Sequence, residues 1–197
     1  MLKQLVDGTL RVVLASGSPR RKALLSRMGF PFEVDPVDVD ETWPHGHLSS
    51  HYEGVMMLSR RKAEAGRMRH PDAFVLAADT LVFLDGEPLG KPMDRQDAWN
   101  MHKKLAGRTH EVVTGVAYSY PDVSDISAFY ERTRVTFGQL SNDDLNDYLD
   151  TGSPMDKAGA YGIQDAMSYR FVVGIDGDWN NVIGLPLYRL FSELKRK

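Results

Sequence analysis

A strand that runs directly into a helix beginning with two adjacent arginines most constrains how this chain can fold. Residues 10–15 form an apolar run typical of a buried strand, and a helix-like sequence follows without a linker. Ser18 is a suitable N-cap and Pro19 suits the first helical position, so Arg20 and Arg21 fall in the first turn. The helix dipole disfavours cations at that end. The segment therefore predicts a strand–helix unit with unusual positive charge where the helix begins.

The position of Arg20 and Arg21 indicates a negatively charged partner. Free backbone N–H groups at a helix N-terminus, small residues that permit close approach and two guanidinium groups suit phosphate oxygens. Two solvated arginines on a surface helix are an equally good interpretation of this segment alone.

Strand-like and helix-like stretches alternate along the rest of the chain, without internal repeats or low-complexity tracts. Further strands are predicted over residues 32–40, 73–84, 109–120, 126–137 and 167–175. Helices are predicted over residues 19–28, 49–69, 94–105, 141–150 and 185–195. The third and fourth of these strands are expected to pair antiparallel around Pro121-Asp122. This order predicts an α/β fold with a mixed sheet, as one domain or as two small lobes sharing a sheet.

The composition argues against several classes of protein. A hydrophobic content of 42% is enough for a core, and a net charge of -3 gives no overall attraction to nucleic acid. The absence of cysteine excludes disulfides and thiolate chemistry and fits the cytosol. The N-terminal residues are too polar for a signal peptide, and no apolar run is long enough to span a membrane. We expect a cytoplasmic protein that binds neither membranes nor nucleic acids.

Two charged residues lie where burial is expected. Lys62 falls in the apolar stripe of the 49–69 helix, four residues after Leu58, so it either snorkels past the core edge or faces a cleft. Asp79 interrupts the apolar run 74–84, where an unpaired carboxylate would be costly. It needs a cation, a metal or a solvent-filled pocket, unless it forms an Asx turn between two strands.

Two glycine-containing loops are further candidates for binding. Lys91 lies between Gly90 and Pro92, a placement suited to a phosphate. The stretch 156–164 is rich in small residues, so a flat ligand could approach its backbone, and the Gln164 amide offers a donor and an acceptor suited to the edge of a base. A simple connecting loop is the alternative interpretation of each.

Together these segments resemble the Maf family of nucleoside triphosphate pyrophosphatases. The matching segments, in family order, are Leu14-Ala15-Ser16-Gly17-Ser18-Pro19-Arg20-Arg21, Val39-Asp40-Glu41, Lys62-Ala63, Ala77-Ala78-Asp79-Thr80, Gly90-Lys91-Pro92, Gly107-Arg108-Thr109-His110, Val113-Thr114-Gly115-Val116, and residues 156–164 and 181–187. The ordered set carries the resemblance, which extends over nearly the whole chain. It implies a mixed, elongated and twisted sheet flanked by helices, with two lobes around a central cleft, in a single domain of residues 1–197.

The resemblance implies cleavage of a nucleoside triphosphate between its α and β phosphates, with Mg²⁺ or Mn²⁺ as the metal. Asp79 would accept a proton from the attacking water, and the metal carboxylates would be Glu41 and Asp79. The phosphate-binding residues would be Ser16, Ser18, Arg20, Arg21, Lys62 and Lys91. Glu41 comes from the resemblance alone, since its polar surroundings otherwise indicate a surface loop.

Within the family, the chain resembles the branch that acts on dTTP and UTP, and a house-cleaning role on modified pyrimidine nucleotides would follow. Arg21, Thr80 and Gln164 match the positions linked to that choice. Asp165 departs from the pattern, because glycine is usual there, and it adds negative charge beside the implied base pocket. The family also suggests a homodimer.

Other functions stay open at this point. The chain could be a nucleotide-binding regulator of septum formation without significant turnover, or it could apply the same chemistry to a modified purine. A regulator needs no general base in a desolvated strand, whereas a hydrolase does. Asp79 is therefore the residue that distinguishes the regulator from the hydrolase. A third alternative is a nucleic-acid binder that uses the arginines at positions 20, 21, 60, 61 and 67. The negative net charge of the chain argues against it. We interpret Arg60, Arg61 and Arg67 as solvent charges.

Overall fold

The computed structural model describes residues 2–43, 50–121 and 123–196. The strands are β1 (Val12–Leu14), β2 (Glu33–Val34), β3 (Phe74–Leu84), β4 (Glu87–Leu89), β5 (Thr109–Ser119), β6 (Ser127–Phe137) and β7 (Val172–Asp176). The α-helices are α1 (Leu2–Val6), α2 (Pro19–Ser26), α3 (His51–Arg69), α4 (Arg95–Leu105), α5 (Asn142–Asp150), α6 (Trp179–Ile183) and α7 (Leu187–Lys195). Short 3-10 turns cover Ser153–Asp156, Ala158–Ala160 and Ser168–Arg170. Within these described ranges, no helix combines the length and apolar character that crossing a bilayer requires.

The strands form one mixed sheet, which confirms the predicted fold class. Their order is β2-β1-β3-β5-β6-β7, and β4 pairs with β3 beside this path. Strand β1 is parallel to both β2 and β3, whereas β4 is antiparallel to β3 and β7 is antiparallel to β6. Strands β5 and β6 are neighbours as predicted, and Asp122 in the expected turn between them lies outside the described residues.

Local capping signals account for most of the helix starts. At the N-termini of α2, α3, α4 and α5, a serine or aspartate side chain accepts a hydrogen bond from the backbone N–H three residues later. The capping residues are Ser18, Ser50, Asp94 and Ser141. The helix predicted over 49–69 begins at His51, and Ser49 lies outside the described residues.

Two predicted strands differ from the observed ones. The strand expected over 32–40 is limited to Glu33–Val34, because Asp35 makes the last bond to Leu14 O (3.1 Å) and Pro36 has no N–H to continue the ladder. The strand expected over 167–175 begins only at Val172, since the residues before it form a 3-10 turn.

The chain divides into two compact units, each with its own core. The first unit comprises Met1–Asp79, Thr114–Glu131 and Gly184–Lys197, and the second comprises Thr80–Val113 and Arg132–Ile183. In the first, a cluster of small side chains includes Val13, Ala15, Ala63, Val75, Ala77 and Ala117. In the second, a cluster of larger side chains includes Leu105, Val135, Phe137, Tyr148, Tyr161 and Phe171.

Glycines allow α3 to pack unusually close to the strands of the first unit. A side-chain carbon added at Gly66 would lie 2.8 Å from Val75 Cγ1 and 3.0 Å from Ala15 Cβ. One added at Gly115 in β5 would lie 2.5 Å from the backbone oxygen of Val55 in α3. Gly66 thus leaves room for side chains of the strands, and Gly115 leaves room for the backbone of α3, so residues on the inner face of α3 can reach side chains of β3.

A buried histidine lies in the aromatic core of the second unit. His110 is 2% exposed, and its Nε2 is 2.7 Å from the Tyr161 hydroxyl. Its Nδ1 is buried and has no hydrogen-bond partner within the described residues. Burial, reinforced by the neighbouring His102, lowers the pKa of His110 to about 4.

The low pKa of His110 predicts acid sensitivity. Below its ordinary pKa of 6.5 the unfolded chain gains a proton at His110, whereas the folded chain gains it only near pH 4. The free energy of unfolding should therefore fall by about 3 kcal/mol as the pH decreases across this range. Urea denaturation of the wild type and of His110→Gln at several pH values measures this, and the variant should show a shallower pH dependence. The same slope in both proteins would contradict the assignment.

Candidate active site

Arg21, one of the two arginines in the first turn of α2, is held by fixed hydrogen bonds. Arg21 Nη1 donates to the hydroxyl of Ser16 (3.1 Å), and Arg21 Nε donates to the carbonyl oxygen of Gly184 (3.0 Å). Ser18 Oγ caps the helix through the backbone N–H of Arg21. Arg21 is thus held in place by the fold, whereas a solvated arginine on a surface helix would have no such fixed partners.

Lys62 lies between two carboxylates in the first unit. Its Nζ is 2.5 Å from Asp79 Oδ1 and 2.7 Å from Glu41 Oε1. Lys62 is 7% exposed and Asp79 is 9% exposed. Strand β3 is continuous from Phe74 to Leu84, so the Asx-turn interpretation of Asp79 is wrong. Snorkelling is also wrong for Lys62, because its ammonium group ends at this pair of acids.

The arginines of α2 and the carboxylates around Lys62 influence each other electrostatically. Burial lowers the pKa of Arg21, the negative charges of Asp79 and Glu41 oppose that shift, and the positive charge of Arg20 adds to it. Arg20, Arg21, Glu41, Lys62 and Asp79 therefore form one charged cluster in the first unit.

The remaining predicted residues belong to the second unit. Thr80 follows Asp79 on β3 and is half-buried, whereas Lys91 and Gln164 are exposed. The loops that carry the last two are joined by a hydrogen bond from the Gly159 N–H to the Gly90 carbonyl (2.9 Å).

Asp165 anchors the turn that carries Gln164 instead of projecting freely beside it. Its Oδ2 accepts hydrogen bonds from the Tyr148 hydroxyl (2.6 Å) and the Ser153 hydroxyl (2.9 Å) and is 3.8 Å from Lys157 Nζ. The Tyr148 hydroxyl in turn accepts from the N–H of Gly162 (3.0 Å). The added negative charge is therefore neutralised within the second unit.

A comparison with known families identifies the chain. Residues 11–197 match the family described as Maf-like protein. This chain belongs to the Maf family. The assignment agrees with the ordered set of segments that the sequence shows.

Curated relatives match this chain over nearly its whole length. The dTTP/UTP pyrophosphatase of Koribacter versatilis is 44% identical over 185 residues, which are 94% of this chain and 93% of that protein. The dTTP/UTP pyrophosphatase of Symbiobacterium thermophilum is 48% identical over 185 residues, 93% of this chain and 92% of that protein. The structure of the Staphylococcus aureus Ham1 protein aligns with 94% of this chain and 98% of its own, at 15% identity and a TM-score of 0.49.

The Maf site offers a small set of oxygen donors for a metal. No group of three or more His, Cys, Asp or Glu side chains within residues 2–43, 50–121 and 123–196 is arranged to hold one. Glu41 and Asp79, however, converge on the same Lys62 ammonium, so their carboxylates are neighbours. Mg²⁺ is commonly held by one or two carboxylates together with substrate phosphates and water, and this pair fits that pattern.

Two parts of the site were missed by the sequence interpretation. The Gly184 carbonyl contacts Arg21 from the distant end of the chain; residues 181–187 match the family, but no role was predicted for them. Arg61, interpreted as a solvent charge, donates instead to backbone carbonyls beside Glu41. Its position next to Lys62 is the one signal that could have drawn attention to it.

Proposed function

We propose that this chain hydrolyses dTTP and UTP, and modified pyrimidine triphosphates, to the nucleoside monophosphate and pyrophosphate. The observation that carries the proposal is the buried pair of Lys62 and Asp79, with Glu41 on the same ammonium group and Arg21 within electrostatic range. The family and the named activity of its relatives support the reaction. Removal of modified nucleotides before their incorporation is the cellular role we infer, in the cytoplasm and as a homodimer.

In this proposal Asp79 is the general base. A water oxygen attacks the α phosphorus, the bond from that phosphorus to the oxygen bridging to the β phosphate breaks, and pyrophosphate leaves. Asp79 takes the proton of the attacking water, while Lys62 holds its Oδ1 and fixes the carboxylate. Arg20, Arg21 and the N-terminus of α2 bind the phosphate oxygens and offset the charge that builds on the leaving group.

We propose that Mg²⁺ or Mn²⁺ is bound by Glu41 and Asp79. When bound, the cation would neutralise phosphate charge and polarise the phosphoryl group. Lys62 would then share its two carboxylate partners with the metal, and its ammonium group would also bind a phosphate oxygen.

We assign the choice of base to Arg21, Thr80 and Gln164. We assign a further phosphate contact to Lys91, in the loop after β4. The named substrates of the relatives support the pyrimidine assignment. The turn that presents Gln164 is held through Asp165 and Tyr148, so the amide is carried by a fixed backbone.

A substrate panel tests the proposal. The purified chain with Mg²⁺ or Mn²⁺ is supplied in turn with dTTP, UTP, CTP, purine triphosphates and modified triphosphates, and pyrophosphate is scored against orthophosphate. We expect pyrophosphate as the main product and the highest kcat/KM with dTTP and UTP. Hydrolysis in ¹⁸O water should place the label in the monophosphate, because attack is at the α phosphorus. Orthophosphate as the main product, or label in pyrophosphate, would refute the reaction; equal kcat/KM for purines would refute the base preference.

A further inference from the structure

Glu41 lies on a short irregular segment that is fixed by a turn of its own. Asp40 Oδ1 accepts a hydrogen bond from the backbone N–H of Thr42 (2.8 Å), which closes an Asx turn around Glu41. This turn sets the local direction of the Glu41 side chain. By itself it does not fix the turn relative to Lys62 and Asp79.

Arg61 connects this turn to α3. Its Nη1 donates to the carbonyl oxygens of Asp40 (3.0 Å) and Thr42 (3.3 Å), the residues on either side of Glu41. The same nitrogen is 4.0 Å from Asp40 Oδ2. The next residue of α3 is Lys62, which binds the Glu41 carboxylate itself. One turn of α3 thus holds both the backbone around Glu41 and its side chain.

A second contact attaches the same segment to the first turn of α3. The indole of Trp43 lies against Gly54 so closely that a side-chain carbon at Gly54 would overlap its ring. The segment is therefore bound to α3 at two places, at Gly54 and at the adjacent Arg61 and Lys62.

We propose that Arg61 is a positioning residue that holds the Glu41 carboxylate beside Asp79 for metal binding. The inference rests on the proposed function, in which Glu41 and Asp79 hold the metal. Arg61 contacts no reacting atom; it acts through the peptide groups that flank Glu41. Partners of metal ligands commonly change metal affinity by about 10- to 100-fold when they are removed.

Arg60 provides a matched control on the same helix. Its Nη1 also donates to a backbone carbonyl, that of Ile126 (2.8 Å), which is not part of the charged cluster. Both arginines are exposed enough that their bonds should add little to folding stability. Any difference between the two variants in metal binding therefore reports on the position of Glu41 and not on general destabilisation.

The experiment compares Arg61→Met with Arg60→Met. Mn²⁺ is titrated, by electron paramagnetic resonance of the free ion, into protein bound to α,β-methylene-dTTP, which cannot be cleaved. We expect the Mn²⁺ Kd to rise about 10-fold in Arg61→Met and to stay at the wild-type value in Arg60→Met. Arg61→Lys should restore part of the affinity, because an ammonium group can still donate to one of the two carbonyls. An unchanged Kd in Arg61→Met would overturn the inference.

Two further measurements separate this inference from the proposed function. If Glu41→Gln weakens Mn²⁺ binding but Arg61→Met does not, only the role of Arg61 fails; if neither variant weakens it, the metal assignment of Glu41 fails as well. Amide hydrogen exchange without metal or nucleotide should be faster at residues 40–43 in Arg61→Met. Unchanged exchange there would overturn the inference even for a chain with no pyrophosphatase activity.

Discussion

Asp79→Asn is expected to lower the rate of pyrophosphate release by about 10³-fold while leaving nucleotide binding close to that of the wild type. Asparagine has the same shape, and its carbonyl oxygen can still accept the hydrogen bond from Lys62. It cannot take a proton from water. Because the substrate is a polyanion, loss of one negative charge should not weaken its binding when no metal is present, so binding is compared in metal-free buffer. Turnover is measured as pyrophosphate release, and binding by calorimetry with α,β-methylene-dTTP.

Asp85→Asn is the matched control for this prediction. Asp85 follows the same strand, is exposed on the surface in an ion pair with Arg108, and has a φ of 54°, which asparagine tolerates well. Its replacement should leave turnover unchanged. Undiminished turnover in Asp79→Asn would exclude Asp79 as the base. If the wild-type chain binds nucleotide but does not turn it over, the nucleotide-binding regulator would instead be favoured.

The buried members of the site could be predicted from the sequence because burial leaves a local signature. Asp79 interrupts an apolar run in a strand, and Lys62 interrupts the apolar stripe of a helix. A buried charge needs a compensating partner, and in the structure each of these residues is the other's partner. Sequence could indicate that each needed a partner but not that the two would meet, since that depends on how closely α3 packs.

Glu41 and Arg61 could not be predicted in the same way. The Glu41 side chain is 58% exposed, and it lies just past the alternating stretch 32–40, in a polar segment whose local pattern assigns it no role. Arg61 resembles any charge on the outer side of a helix, and its partners lie about twenty residues earlier in the chain. The roles of both arise from contacts between a loop and a helix, which no local pattern encodes. For Glu41, only the family resemblance supplied the assignment.

The errors in secondary structure have a similar origin. Alternation over 32–40 indicates a strand, but Pro36 ends the backbone ladder after Asp35, and Asp40 at the end of the stretch forms the turn around Glu41. Helix starts were predicted more accurately, because a capping side chain and the N–H that it accepts from are only three residues apart.

Lys62→Met is expected to lower the free energy of unfolding by about 3 kcal/mol. Methionine keeps the apolar stem, but the buried Asp79 carboxylate loses its cation and faces Glu41 as a like charge. The same change should lower kcat/KM by about 10²-fold, because a cation that binds phosphate and fixes the base is lost. Urea denaturation and pyrophosphate release measure the two effects.

The double variant Lys62→Met/Asp79→Asn distinguishes the cause of the instability. If an uncompensated carboxylate destabilises the single variant, removing that charge should restore most of the lost stability, while turnover stays as low as in Asp79→Asn. A double variant no more stable than Lys62→Met would mean that the lysine contributes through packing and not through its charge. Recovered stability without recovered turnover would show that a neutral residue at position 79 folds equally well. The buried Asp79 charge would then serve catalysis, and Lys62 would compensate its cost to the core of the first unit.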